Sequence, residues 1–298
     1  MRLARLRRSA AAWLGVAGVA LLASVSSHAD EARHIFWEVK GAHNTVYLLG
    51  SVHLLKSGES TLPPEIMQAY RRSSTLVMEL NLNDAGVDSL TGSGTETALL
   101  PEGETLSRAL GPELYASLLA HAQRLGLPAE SLERFQPWFA AMALEQMTLV
   151  QAGYEANAGV DMQLTQSATA DHKPIVALET MGEQMGFFSH LALDEQRQFL
   201  RSTLKDLDTA GSDTAAVVRA WEHGDVRELE RLFREEAADS PQLMRLLTTD
   251  RNRRWLPRIV ALLNDERDDM VIVGAMHLIG DDGLVALLKR QGYEPVQH

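Results

Sequence analysis

Two tetrapeptides at opposite ends of the chain share one pattern. Gly50-Ser51-Val52-His53 and Gly274-Ala275-Met276-His277 both read Gly-x-x-His. Each follows a short apolar run, Thr45–Leu49 in one case and Asp269–Val273 in the other. Two carboxylates are placed alike. Glu79 lies near the end of the run Thr75–Leu80, and Glu179 stands just past Pro174–Leu178. A set of His and Glu side chains suits a divalent metal ion. Such an ion lowers the pKa of a bound water and polarises a carbonyl, while a spare carboxylate serves as general base. A single Gly-x-x-His is common by chance, and a lone His after a strand is more often a structural residue. Two such tetrads are less easily accidental, but spacing alone leaves a shared site and a structural pair both open.

For these side chains to meet, the runs that carry them must be neighbouring strands. Glycine lets the chain turn sharply as it leaves a sheet, and ligands of open α/β sheets bind at the carboxyl edge of the strands. The rest of the pattern fits such a sheet. His34–Val39 and Thr45–Leu49 flank the turn Gly41-Ala42-His43-Asn44 and read as a hairpin. Pro63-Pro64 opens a helix to about Ser73. The stretch 81–96 is rich in Gly, Ser, Asn and Asp and reads as a loop. The regions 104–170 and 183–265 are mainly helical, the second broken at Gly211, Gly224 and Pro241. A helix over 281–290 and a short strand over 293–296 end the chain. Short, continuously apolar strands imply a sheet covered on both faces. The expected fold is α/β, with a central mixed or split sheet under large helical insertions. No linker divides it, so one domain is expected over 30–298.

Arg251 and Asn252 open a late helix whose inward face carries Trp255, Ile259, Leu262 and Leu263. Pro257 argues for a kink or a later start. The pair could orient a ligand carboxylate, or Arg251 could be solvated and Asn252 merely assist the helix start; the second is the simpler reading. Gly159-Val160-Asp161 resembles a turn into a helix with a favourable acid in its first turn. Trp138, Phe139, Met142, Leu144 and Met147 are spaced as a helical core stripe. Neither His-Glu-x-x-His nor Gly-x-Ser-x-Gly occurs, and Gly92-Ser93-Gly94 is not followed as a phosphate loop would be. The remaining histidines lack partners at ligand spacing and read as surface or structural residues.

Composition narrows the chemistry further. The 298 residues include no Cys, so disulfides, Cys-ligated zinc, iron–sulfur clusters and a cysteine nucleophile are excluded. The net charge is -12, which makes nucleic acid or an anionic membrane a poor partner. Arg2, Arg5, Arg7 and Arg8, an uncharged run to Ser27, and Ser27-His28-Ala29 form the three parts of a secretory signal peptide. Cleavage after residue 29, no stable membrane span thereafter, and a periplasmic location are expected.

The motifs together resemble the TraB/GumN family. The resemblance runs through Ile35–Lys40, Thr45–His53, Leu62-Pro63-Pro64, Leu76–Leu80, Gly159-Val160-Asp161, Lys173–Thr180, Arg251-Asn252, Val273–Leu284 and Gly292-Tyr293. It covers about residues 34–296, and the order and spacing of the motifs make it specific. The family is similar to the Tiki proteins, described as metal-dependent proteases active with manganese or cobalt, and to erythromycin-esterase-like and haem-binding ChaN-like proteins. The resemblance implies His53 and His277 as metal ligands or catalytic histidines, and Glu79 as ligand or general base. It implies Glu179, Arg251 and Asn252 as further site residues. A site of His plus carboxylate suits Mn or Co better than Zn. The expected function is a metal-dependent peptidase or related hydrolase acting on a peptide or small molecule. The alternative is a periplasmic protein that binds a peptide or a haem-like ligand without turnover.

Overall fold

The computed structural model describes residues 33–58, 62–83 and 96–298. The expected signal peptide with its cleavage site, and most of the expected loop 81–96, lie outside these residues. Among the described residues no helix is long and apolar enough to cross a membrane.

Strands β1 (Phe36–Lys40) and β2 (Thr45–Ser51) form the expected hairpin, with Trp37 opposite Leu48. A short β3 (Leu55–Lys56) follows, then helix α1 (Pro64–Arg72) and β4 (Thr75–Met78). The helical middle comprises α2 (Leu106–Arg124), α3 (Pro137–Gln151), the two-residue β5 (Tyr154–Glu155) and α4 (Val160–Ala170). After β6 (Ile175–Ala177) come α5 (Met181–Ser189), α6 (Leu193–Asp206), α7 (Ala210–Glu222), α8 (Val226–Asp239), α9 (Pro241–Leu247) and α10 (Thr249–Leu262). The chain ends with β7 (Asp269–Gly274), α11 (Leu284–Arg290) and β8 (Val296–Gln297).

Six strands make one mixed sheet in the order β6-β4-β7-β2-β1-β8. The four neighbours β6, β4, β7 and β2 run parallel, and β1 and β8 are antiparallel additions at one edge. Every residue of β2 and β7 is buried, because both faces of these central strands are covered. That is why their sequences read as apolar runs rather than as alternations. The main core joins this sheet to Ile66 and Tyr70 of α1, Leu164 of α4, and Trp255 and Ile259 of α10. A second core packs α2, α3 and α6 around Leu106, Leu118, Leu144 and Leu200. Trp138 and Leu144 of the expected core stripe are fully buried.

The main sheet is mixed, the first of the two forms expected. Two expectations change. The last strand starts at Val296, because its partners on β1 are Glu38 and Trp37. Helix α10 runs through Pro257 without a break. Pro257 and Arg253, whose carbonyl loses its helical donor, both lie on the exposed face, where water replaces the lost bond.

Candidate active site

The parallel block delivers four functional side chains to one edge. His53 follows β2, Glu79 follows β4, Glu179 follows β6 and His277 follows β7, each just past the carboxyl end of its strand. The register aligns these ends: Gly274 lies beside Ser51, and Ile272 beside Met78. The short 3-10 turn Ala275–His277 then folds His277 back over the edge.

The two histidines are held by different partners. Asp161 Oδ2 accepts from His53 Nδ1 at 2.8 Å, and Ser51 Oγ donates to Asp161 Oδ1 at 2.8 Å. His53 Nε2 is thereby left facing the edge of the sheet, near the Gly274 Cα. Asp161 sits in the first turn of α4, where the helix dipole favours a carboxylate. Gly159 permits this docking: a Cβ there would lie 2.1 Å from the His53 carbonyl oxygen. The Asp161 carboxylate, working against burial, pushes the His53 pKa up.

His277 is only 2 % exposed and faces a neutral partner. Asn252 Nδ2 donates to the carbonyls of His277 and Asp282, at 3.2 and 2.9 Å. Those two acceptors fix the orientation of the amide, so its oxygen is the atom that lies 2.7 Å from His277 Nδ1. Nδ1 therefore carries the proton, and Nε2 offers a lone pair, which Arg251 Nη1 engages at 3.1 Å. Burial is the main cause that pushes His277 down, to about 3; Glu79 opposes it and Arg251 adds to it. The ring also packs on Trp255, 4.6 Å between centroids.

Arg251 joins the two glutamates. Its Nη2 donates to Glu79 Oε2 at 2.5 Å and also to Glu179 Oε1, while its Nε reaches Glu179 Oε2 at 3.3 Å. The guanidinium lies over Trp255, 4.6 Å from the ring centre, and all three charged residues are buried. Glu79 Oε1 accepts the Gly274 N–H at 2.6 Å, and Oε2 also accepts from Gln184 Nε2 at 3.3 Å. Burial would raise the Glu79 carboxyl, but His277, Arg251, His53 and the Gly274 N–H outweigh it and hold it low.

All six residues expected at the site therefore meet. Arg251 and Asn252 are buried and bonded to this cluster, which excludes the reading of a solvated helix start. Sequence reasoning did not place Asp161, Ser51 or Gln184 there. Gly159-Val160-Asp161 was the available signal for Asp161, read only as a helix start. Gln184 carried no signal.

Three observations bear on a metal. Among the described residues no three His, Asp or Glu side chains already stand at the spacing of a formed metal site. Yet a Cβ built on Gly274 would lie 3.4 Å from both Glu79 Oε1 and His53 Nε2, and 3.7 Å from His277 Cδ2. Two donor atoms and the edge of the His277 ring thus border one space over a bare Cα, while His277 Nε2 is turned to Arg251. Asp161 and Asn252 also orient the two imidazoles as outer partners of metal-bound histidines do. By residue type His53, His277 and Glu79 suit a divalent ion, but His277 Nε2 would be free to bind one only if Arg251 Nη1 moved away. A pocket of about 270 Å³ adjoins these residues; its lining includes the polar His53, Glu79, Asp161 and Gln184 and the apolar Met78, Leu80, Leu82 and Met162.

The profile of the TraB/PrgY/gumN family matches residues 35–297. The chain is 26% identical to the uncharacterised protein YbaP of Escherichia coli, over 82% of this chain and 87% of that one. It is 24% identical to the metalloprotease TIKI1 of Danio rerio, over 85% of this chain, and 25% identical to human metalloprotease TIKI1, over 90%. It spans 60% and 62% of the length of those two proteins. No solved structure matches the chain significantly.

Proposed function

The chain belongs to the TraB/PrgY/gumN family, and from that premise we propose that it is an exported, metal-dependent hydrolase that cleaves peptide-like substrates. Its distant likeness to TIKI metalloproteases supplies the link to hydrolysis. One observation carries the reading: His53 Nε2, Glu79 Oε1 and the His277 ring converge on the bare Cα of Gly274.

In this reading His53, His277 and Glu79 hold the divalent ion, Mn or Co by the chemistry of the donors. A bound ion supplies a Lewis acid and a water of lowered pKa. The protein groups do the rest. Asp161 and Asn252 fix both imidazoles in the tautomer that presents Nε2. Arg251 helps to keep Glu79 ionised in a buried setting where a lone carboxylate would take up a proton, and it also pairs with Glu179. The apolar wall of Met78, Leu80, Leu82 and Met162 receives an apolar side chain of the substrate and excludes water beside the reacting groups.

The test is calorimetric titration of Mn and Co into the metal-free protein, His53→Ala and His277→Ala, followed by mass spectrometry of peptide digests. About one bound ion in wild type, lost in both variants, with peptide cleavage that requires the ion, supports the reading. Absence of binding, or cleavage that survives His53→Ala, rejects it. Recovery of intact peptide in stoichiometric complex would mark a binding protein instead.

A further inference from the structure

A second cavity, separate from the pocket beside His53, is larger than that pocket. It has a volume of about 680 Å³ and lies in the helical region, walled by α3, α5, α6, α7, α8 and α9. Native packing leaves few voids much larger than a water molecule, and this volume falls in the range of small-molecule sites.

Its wall has two characters. Phe188, Phe199, Phe233, Leu243 and Leu247 give it an apolar lining. Glu145 of α3, Asp206 of α6, Asp213 of α7 and Glu236 of α8 bring a carboxylate each from four separate helices. Glu235 also lines it, but Arg231 pairs with Glu235 at 2.7 Å. No Lys, Arg or His lines the cavity, although the chain has 28 Lys and Arg. Neither α5 nor α9 contributes a charged lining side chain. Among the described residues the other four carboxylates have no ion-pair partner. Elsewhere in the same region the chain readily pairs its carboxylates, as Arg231 does with Glu228 and Glu235, and Arg197 with Asp194.

We propose that this cavity is a second binding site, for a small organic cation that joins an apolar body to an ammonium group. The lining supplies burial for the body, and the four uncompensated carboxylates supply the counter-charge. All four carboxylates are exposed, at the rim of the cavity rather than inside it, so they would draw an ammonium group to the mouth, give a neutral apolar ligand no gain, and repel an anionic one. The charges already act on each other: burial, then Glu236 and Asp206, push Glu145 up to about 6, and Glu236 is raised by burial and by Asp206 and Asp213. A bound cation relieves that repulsion. Two elements are shared with the candidate active site. Helix α5 carries Phe188 in the cavity and Gln184 on Glu79, and Arg251 donates to the carbonyl of Leu247 at 3.1 Å.

Three probes with one apolar body separate the terms: n-decylammonium, n-decanol and n-decanoate, each titrated calorimetrically into the full protein. The ammonium is expected to bind about one per chain, at least tenfold more tightly than the alcohol, with the carboxylate weakest. Glu145→Gln with Glu236→Gln should weaken the ammonium about tenfold, and Thr214→Trp, which fills the cavity, should abolish binding. The exposed pair Glu102→Gln with Glu104→Gln should change nothing. Affinity should rise between roughly pH 5 and pH 7 as Glu145 ionises. Melting curves establish that each variant is folded. The proposal fails if the ammonium does not bind, if the alcohol binds as well, or if both pairs of substitutions weaken binding alike. These measurements need no metal and no turnover, so they stand apart from the fate of the hydrolase reading.

Discussion

The two Gly-x-x-His tetrads have the same spelling and opposite physics. His53 is an open imidazole, with its side chain 63% exposed and an anionic partner in Asp161. His277 is buried, with a neutral partner in Asn252 and a guanidinium on its lone pair. The first is biased toward the charged form and the second toward the neutral form. The glycines differ as well. A Cβ on Gly50 would lie 2.3 Å from Ile35 Cγ2 and 3.0 Å from the Ala275 Cα, so that glycine serves packing. The three atoms nearest a Cβ on Gly274 would belong to Glu79, His53 and His277, at 3.4 to 3.7 Å, so that glycine borders the candidate site without a clash. A repeated motif therefore marks where a strand ends at a site, and the partner residues assign the role.

The largest effect should come from Arg251, which belongs to the His277 side alone. Arg251→Met strands two buried carboxylates, and urea unfolding of the metal-free protein should show a loss of about 3–5 kcal/mol. A loss below about 1 kcal/mol would mean that Glu79 and Glu179 find other partners. Mn or Co should restore more stability to this variant than it gives wild type, because the guanidinium no longer engages His277 Nε2 and Glu79 Oε2. Gly50→Ala should cost about 1–3 kcal/mol by overpacking. Gly274→Ala should cost much less stability while weakening metal binding more, and equal effects of the two on unfolding would erase the distinction between the glycines.

The histidines can also be exchanged in character. Asn252→Asp gives His277 an anionic partner and should raise its titration, and Asp161→Asn should lower that of His53; both are read by NMR of the metal-free protein. If neither moves, the partners do not set the charge states. The same shifts act on stability in opposite pH windows. The folded pKa of His277 lies below its unfolded value, so the unfolded chain binds the extra proton and stability falls as pH drops from about 6.5 toward 3. His53 is raised, so its contribution is complete below about 6.5 and is lost at alkaline pH, as the folded pKa is passed. Denaturant midpoints across that range should show the acid loss reduced in His277→Asn and the alkaline loss reduced in His53→Asn. This is the smallest of the effects, because the His53 pair is open to solvent.

Much of this arrangement was legible in the sequence, because buried parallel strands leave a direct trace. The apolar runs at β2, β4 and β7 announced themselves as buried strands, and the run at β6 marked a strand too, although it is an edge strand with Val176 exposed rather than a buried one. Asp161 was harder. Its role depends on α4 docking its first turn against the His53 loop, through Val160 N–H to the Val52 carbonyl at 3.0 Å, and nothing in local periodicity encodes which loop a helix start will touch. Gln184 reaches Glu79 across a similar tertiary contact. The cavity among the helices was wholly hidden, since its carboxylates look like ordinary solvated helix faces until six helices are placed around one space. Pro257 misled because propensity weighs a lost hydrogen bond without knowing that it faces water.

The pairing of β2 with β7 has a temporal meaning. His53 and His277 are separated by 224 positions, and the strand that brings the second beside the first is made after all the helices of the middle region but before α11. No shorter stretch of chain holds both. A contact of such long range forms late and at a large entropic cost of closure. During synthesis the growing polypeptide can fold local helices without ever presenting a complete site. The cluster that joins His53 to His277 is thus assembled only after the chain has been made through β7 and its following turn.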